Sequence, residues 1–148
     1  MEKLIMEATW HHAALAIRDV DQALKFYCDL LGFKIDWIKE SYGGEKFSKV
    51  VGLPNANAHV VMLKGHGVQL ELFHYHNPMG IESEPKRMCD FGITHFAFSV
   101  VGIHEIYKTL SAEGVQFNCP PQNLRPGVCA TYMQDPEGNT IELVEYSP

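Results

Sequence analysis

Two short segments each set a single carboxylate among apolar residues: Leu70-Glu71-Leu72 and, half a chain later, Ile141-Glu142-Leu143. A histidine opens the stretch that begins each half, in His12-Ala13-Ala14-Leu15-Ala16-Ile17 and in His95-Phe96-Ala97-Phe98-Ser99-Val100. A His at the start and a Glu at the end, twice over, is the mark of an internal repeat. If the two halves pack about a pseudo-twofold axis, His12, Glu71, His95 and Glu142 occupy equivalent points and can converge inside a curved sheet. Two imidazoles and two carboxylates make a mixed N,O set that suits one divalent transition ion (Ni, Co, Zn, Mn or Fe) and leaves room for two waters or a bidentate substrate. Such an ion polarises a substrate oxygen and stabilises an enolate-like intermediate. A neighbouring carboxylate, Glu142 or Glu71, then moves the proton. Taken singly, a His on a half-buried strand is more often a core residue and a lone Glu more often faces solvent. The matched recurrence of all four carries the metal reading.

The elements that must position these residues follow from local pattern. His12, Ala14 and Ala16 alternate with Ala13, Leu15 and Ile17 as on a strand, which puts His11 on the face opposite His12. Asp19, with Gln22 three residues on, signals a helix start; Val20, Ala23, Leu24, Tyr27, Leu30 and Leu31 recur at helical spacing until Gly32 ends the run. Strands are predicted at Phe33–Ile38 and Phe47–Val51, separated by a polar loop from Ser41 to Gly44. A hairpin follows at Ala58–Leu63 and Val68–Tyr75. Asn77–Gly92 is polar and holds two prolines, so it reads as a connection. The pattern then restarts with a strand at Ile93–Val100, a helix at Ile103–Ala112, a strand at Val115–Cys119, a loop at Pro120–Gly127, and strands at Cys129–Gln134 and Asn139–Tyr146. The expectation is an α+β fold of two βαβββ modules, residues 10–76 and 93–146, within one domain spanning 1–148.

Composition bounds the function. The 148 residues are 46% hydrophobic, enough for one domain with a real core, and the formal charge of −6 with scattered Lys and Arg argues against a nucleic-acid groove. The first ten residues lack the apolar core of a secretory signal, and no run approaches the ~18 apolar residues of a membrane span. A cytoplasmic protein with no membrane partner is expected. Cys28, Cys89, Cys119 and Cys129 show no C-x-x-C spacing and read as reduced thiols.

The motifs resemble those of the vicinal oxygen chelate superfamily, the glyoxalase, bleomycin-resistance and extradiol dioxygenase proteins. The resemblance rests on His12 ahead of Asp19, on Phe26-Tyr27 followed by Leu31-Gly32-Phe33, on His95, and on Asp135-Pro136-Glu137-Gly138-Asn139 leading into Ile141-Glu142-Leu143. It implies a cup of paired modules around one divalent ion held by His12, Glu71, His95 and Glu142, a small-molecule substrate and a homodimer. The His, Glu, His, Glu order is most similar to glyoxalase I, with methylmalonyl-CoA epimerase close by. Both move a proton next to a carbonyl, so the implied function is a metal-dependent lyase or isomerase acting on a small carbonyl compound or thioester. Glutathione-binding glyoxalases carry an Arg and an Asn where this chain has Ala16 and Tyr75, and the clamp for a glutathione carboxylate is therefore missing.

Two alternatives stand beside this reading. Tyr132, Asp135, Pro136, Gly138 and Glu142 resemble the extradiol dioxygenase pattern, whose Fe(II) would be held by His12, His95 and Glu142. Against it, the histidine expected several residues before that Tyr is missing, and Glu71 would fill a position that a dioxygenase keeps open. A metal-free binding protein of the bleomycin-resistance type would use Trp10, Trp37, Tyr42, Phe47 and Tyr132 as an aromatic pocket. For epimerase chemistry, Glu45 is a candidate second acid-base group.

Overall fold

A computed structural model describes residues 5–147. The fold is α+β and consists of two mixed sheets with few helices. The chain divides into two compact units: residues 1–18 with 32–80, and residues 19–31 with 81–148. No helix among the described residues is long and apolar enough to cross a membrane. All four cysteines are free.

The first unit is built on β1 (Ala13–Ala16), β2 (Lys34–Gly43), β3 (Asn57–Gly65) and β4 (Val68–Asn77), in the order β1-β4-β3-β2. Neighbouring strands run antiparallel except β1 and β4, the first and last, which pair parallel. Strand β3 lies inside the sheet, and its Ala58, Val60, Val61, Met62 and Leu63 are buried together with Leu70 and Leu72 of β4. The β3–β4 hairpin closes through His66 and Gly67, both at positive φ. That is the geometry of a two-residue turn whose twist matches the strands.

The second unit takes in α1 (Val20–Leu24), which continues as a π-helical turn through Lys25–Leu30. It also holds β5 (His95–Ser99), α3 (Ile103–Ala112), β6 (Gln116–Phe117), β7 (Gln122–Arg125), β8 (Val128–Gln134) and β9 (Thr140–Tyr146). The order is β5-β9-β8-β6, with β7 also on β8, and once more the first and last strands pair parallel. Val128, Ala130, Met133, Ile141 and Leu143 form the buried apolar part of this sheet, with Ile103 and Leu110 of α3 and Ala23, Phe26 and Tyr27 of the first helix also buried.

Three expectations are corrected. Ser41–Gly43, expected in a polar loop, continues β2 and pairs with β3 through Tyr42 and Gly43. Phe47–Val51 is not a strand but most of α2 (Glu45–Val51). Its Val-Val pair favours extended structure in isolation. Here Gly52, at φ 70°, stops a helix whose Glu45 and Lys49 pair one turn apart at 2.6 Å. The expected Pro120–Gly127 loop contains β7, exposed throughout and polar but for Leu124, which pairs with β8 through Gln122, Asn123 and Arg125. An edge strand with no buried face carries no hydrophobic alternation to read.

The Asp135–Asn139 turn is held from inside. Asp135 is buried and accepts hydrogen bonds from the Tyr27 hydroxyl at 2.6 Å, the backbone N–H groups of Glu137 and Asn139, and the Asn139 side-chain amide. Burial, followed by the Asp135 charge, pushes the Tyr27 phenol far up, so it stays a donor at all working pH values. Gly138 takes φ 87°, which a side chain would strain. Glu137 reaches back to accept from the backbone N–H of Asp19, whose own carboxylate caps α1 through the Gln22 N–H. Tyr27→Phe, which removes one donor and leaves three, is expected to cost about 1–2 kcal/mol in urea unfolding, and Asp135→Ala more than that.

Candidate functional site

Each site histidine is placed by a parallel strand pair. In the first unit Ala14 of β1 is in register with Glu71 of β4, and His12 lies two residues before Ala14 on the same face. In the second unit Ala97 of β5 is in register with Glu142 of β9, and His95 lies two residues before Ala97. The two constructions match in spacing, with His95 the first residue of β5 and His12 just before β1. His12 Nε2 stands 3.9 Å from Glu71 Oε2, and His95 Nε2 stands 3.0 Å from Glu142 Oε2. The glutamates are the more buried partners, at 14% and 19% side-chain exposure against 35% and 27% for the histidines.

The orientation of the imidazoles repeats as well, through residues that the His and Glu spacing does not mark. His11 Nδ1 and His12 Nδ1 share a hydrogen bond of 2.7 Å, and Thr94 Oγ1 and His95 Nδ1 share one of 2.9 Å. His95 Nε2–H donates to the Glu142 carboxylate, which can only accept, and Nδ1 accepts from the Thr94 hydroxyl; an ion bound at Nε2 would displace that proton, and Nδ1–H would then donate to the threonine oxygen. Hydrogen bonds of this kind fix the tautomer and ring direction of metal-binding histidines. A polar residue directly before each site histidine was the available sequence signal; strand parity alone sends it to the other face and hides it.

Tyr132 of β8 is in register with Glu142, and its hydroxyl stands 3.5 Å from His95 Nε2. Burial, with a smaller push from the Glu142 carboxylate, raises the Tyr132 phenol, and burial with the charge of Glu71 does the same for Tyr75. Both remain neutral hydroxyls able to donate near a substrate oxygen.

The donor chemistry fits a divalent ion. Two donors at right angles around an ion at ~2.1 Å lie about 3.0 Å apart. The His95–Glu142 spacing meets this, and the His12–Glu71 pair needs only a small side-chain closure. Each pair supplies two donors; among the described residues no three His, Cys, Asp or Glu side chains gather as one metal-holding group.

The remaining candidates lie elsewhere. Glu45 is 80% exposed and engaged with Lys49 on α2. His74 and His76 belong to the face of β4 opposite Glu71, where His74 Nδ1 donates to the Ile17 carbonyl and His76 Nε2 to the Glu40 carbonyl. His59 is in register with His74 on that reverse face. Glu145 has a structural role: it accepts from the backbone N–H groups of Gly102 and Ile103 at the start of α3, which holds its carboxyl below the usual range.

Comparison with known proteins follows the same boundaries. Residues 9–143 match the family described as the Glyoxalase/Bleomycin resistance protein/Dioxygenase superfamily. A 2-epi-5-epi-valiolone epimerase from an Actinomyces species is 29% identical over 142 residues, 90% of this chain and 77% of that protein. A probable lactoylglutathione lyase from Synechocystis is 24% identical over 92% of this chain and 94% of its own length. The crystal structure of a glyoxalase family protein from Bacillus cereus superposes with a TM-score of 0.84 over 99% of this chain and 97% of that one, at 20% identity, a likeness of fold.

Thr94→Val is expected to weaken uptake of a divalent ion about 10–100-fold by freeing the His95 ring. Isothermal titration beside the unaltered chain, with far-UV circular dichroism to confirm the fold, checks this.

Proposed function

The chain belongs to the glyoxalase/bleomycin resistance protein/dioxygenase superfamily, and from that premise we propose that it is a metal-dependent lyase or isomerase that moves a proton next to the carbonyl of a small molecule. One observation carries the reading: both units place a histidine two residues ahead of the position registered on a half-buried glutamate, with the ring tied through Nδ1 and Nε2 turned to the carboxylate. A structural role would not require this construction twice in one chain. The relatives support the reaction class, since one is named an epimerase and another a probable lyase.

His12, Glu71, His95 and Glu142 would together hold one divalent ion. Bound there, the ion would supply Lewis acidity to a substrate carbonyl oxygen and so acidify the adjacent C–H. Glu71 or Glu142 accepts that proton; in an isomerisation the same carboxylate returns it to a neighbouring position, whereas in an epimerisation the other carboxylate delivers a proton to the opposite face of the carbon. Tyr132, a neutral donor beside His95, can orient a substrate oxygen. The substrate is not held as glutathione is in its lyases: Ala16 shares a face with Phe73, and Tyr75 follows on that face, so a methyl group and a phenol stand where a carboxylate clamp would be needed.

Elemental analysis of the chain purified without chelator is expected to give about one ion per chain. His12→Ala and His95→Ala should each lower its affinity about 100-fold or more, roughly 3 kcal/mol, with the fold unchanged. Two ions per chain, each lost from only one variant, would instead describe two independent sites. Full occupancy in both variants would refute the ligand assignment. Ni, Co or Zn directs screening to isomerases and lyases, whereas iron favours dioxygenase assays. A comparison of Glu71→Gln with Glu142→Gln then identifies the base, as the variant that loses turnover while retaining the ion.

A further inference from the structure

The two sheet faces that carry the His–Glu pairs share an alanine registered on each glutamate, Ala14 and Ala97, and differ around it. In the second unit the neighbours are small or polar, namely Ala97, Ser99, Ala130, Thr140 and Gln134, apart from the aliphatic Val144 and the aromatic Tyr132. In the first unit, successive rows across the sheet read Ala14, Glu71, Met62, Trp37, then Ala16, Phe73, Val60, Lys39, then Tyr75, Ala58, Tyr42. An aromatic ring therefore follows Glu71 on its own strand, twice in succession.

Those rings share one plane direction. Phe73 and Tyr75 lie within 14° of parallel, and Phe47 of α2 is within 7° of Phe73 and 12° of Tyr75. Close-packed cores favour edge-to-face and tilted contacts at least as often as parallel ones, so three aligned rings beside a catalytic carboxylate form a stacking surface with a set orientation. The exposed Ala14 and Ala16 leave space beside it, while Ala58 is covered. At the β2 end stands Lys39, its Nζ 4.6 Å from the Tyr42 ring centre and 5.9 Å from that of Trp37, with no carboxylate partner among the described residues. Contact with the aromatic faces orients this exposed ammonium without neutralising it, so its charge remains available to a substrate anion.

We propose that this face is the substrate subsite, and that it selects an enolisable carbonyl compound carrying both a planar aromatic group and an anionic group, such as an aryl-substituted keto acid. The ring stacks parallel to Phe73 and Tyr75, Lys39 holds the anion, and the carbon that exchanges its proton is brought to the His12–Glu71 pair. The inference deepens the proposed metal-dependent function and rests on it for the identity of the reacting carbon. Its binding test does not depend on turnover.

The experiment is titration calorimetry of the full chain, as purified, with three probes: phenylpyruvate, pyruvate, which keeps the keto acid but lacks the ring, and phenylacetone, which keeps the ring but lacks the charge. Phenylpyruvate is expected to bind about tenfold or more tightly than either of the others. Phe73→Leu, which keeps apolar volume and removes the ring, should abolish the advantage over pyruvate. Lys39→Gln should abolish the advantage over phenylacetone while leaving phenylacetone binding as it was. Thermal melting and metal content of each variant guard against loss of fold or of the ion. Equal affinity for phenylpyruvate and pyruvate, or a folded Phe73→Leu protein that still prefers the aromatic probe, overturns the proposal. Failure of the metal reading shows separately, as no bound ion alongside intact discrimination among the probes.

Discussion

Parallel pairing between the first and last strand of each unit is the constraint on which the site depends. A parallel pair needs a long crossover, and the helices and strands in between supply it, with β2 and β3 in the first crossover and β6, β7 and β8 in the second. In return, residues far apart in sequence come into register: Ala14 with Glu71 and Ala97 with Glu142. Because side chains alternate strictly along a strand, one such register fixes which face each histidine and carboxylate share, and a slip of one residue would send His12 or His95 to the opposite face. The apolar neighbours of the glutamates, Leu70 and Leu72 in one unit and Ile141 and Leu143 in the other, are buried on the reverse face and lock that register. The core and the chemistry are two sides of the same strands.

Around this frame the polar groups divide into those that hold the structure and those left free to react. Asp135, the most heavily hydrogen-bonded carboxylate described, has its oxygens committed to Tyr27, Glu137 and Asn139. Glu145 is committed to the start of α3, and Asp19 to the start of α1. The Tyr27–Asp135 bond also explains why residues 19–31, which follow β1 in sequence, belong with residues 81–148. Glu71 and Glu142, by contrast, are each turned to a histidine, and that pairing leaves acceptor capacity for an ion or a substrate proton.

Much of this is legible in the order of the amino acids. The α3 boundaries follow from helical periodicity and the glycine stop, the β3–β4 hairpin from Gly67 between two alternating runs, and the pairing of each His with its Glu from the repeat. Other features are hidden for physical reasons. Strand β7 buries nothing, so it leaves no pattern. Helix α2 carries two valines that favour a strand locally, and it is stopped by Gly52 and held by Ser48, whose hydroxyl accepts from the Ala56 N–H. The orienting roles of His11 and Thr94 depend on side-chain rotamers, which strand parity does not specify.

The fold class, the repeat and the four candidate side chains His12, Glu71, His95 and Glu142 are legible along the chain itself, because hydrophobic periodicity and residue type are local properties written in one dimension. What surrounds those side chains was settled by folding. Packing joined Tyr27 to Asp135 and aligned Phe47, Phe73 and Tyr75 beside Glu71. It also paired Asp36 with Lys64 and left Lys39 over aromatic rings, without a carboxylate partner among the described residues. Those outcomes follow from register between strands distant in sequence and from competition among many possible partners for each polar group. Neither is encoded at any single position.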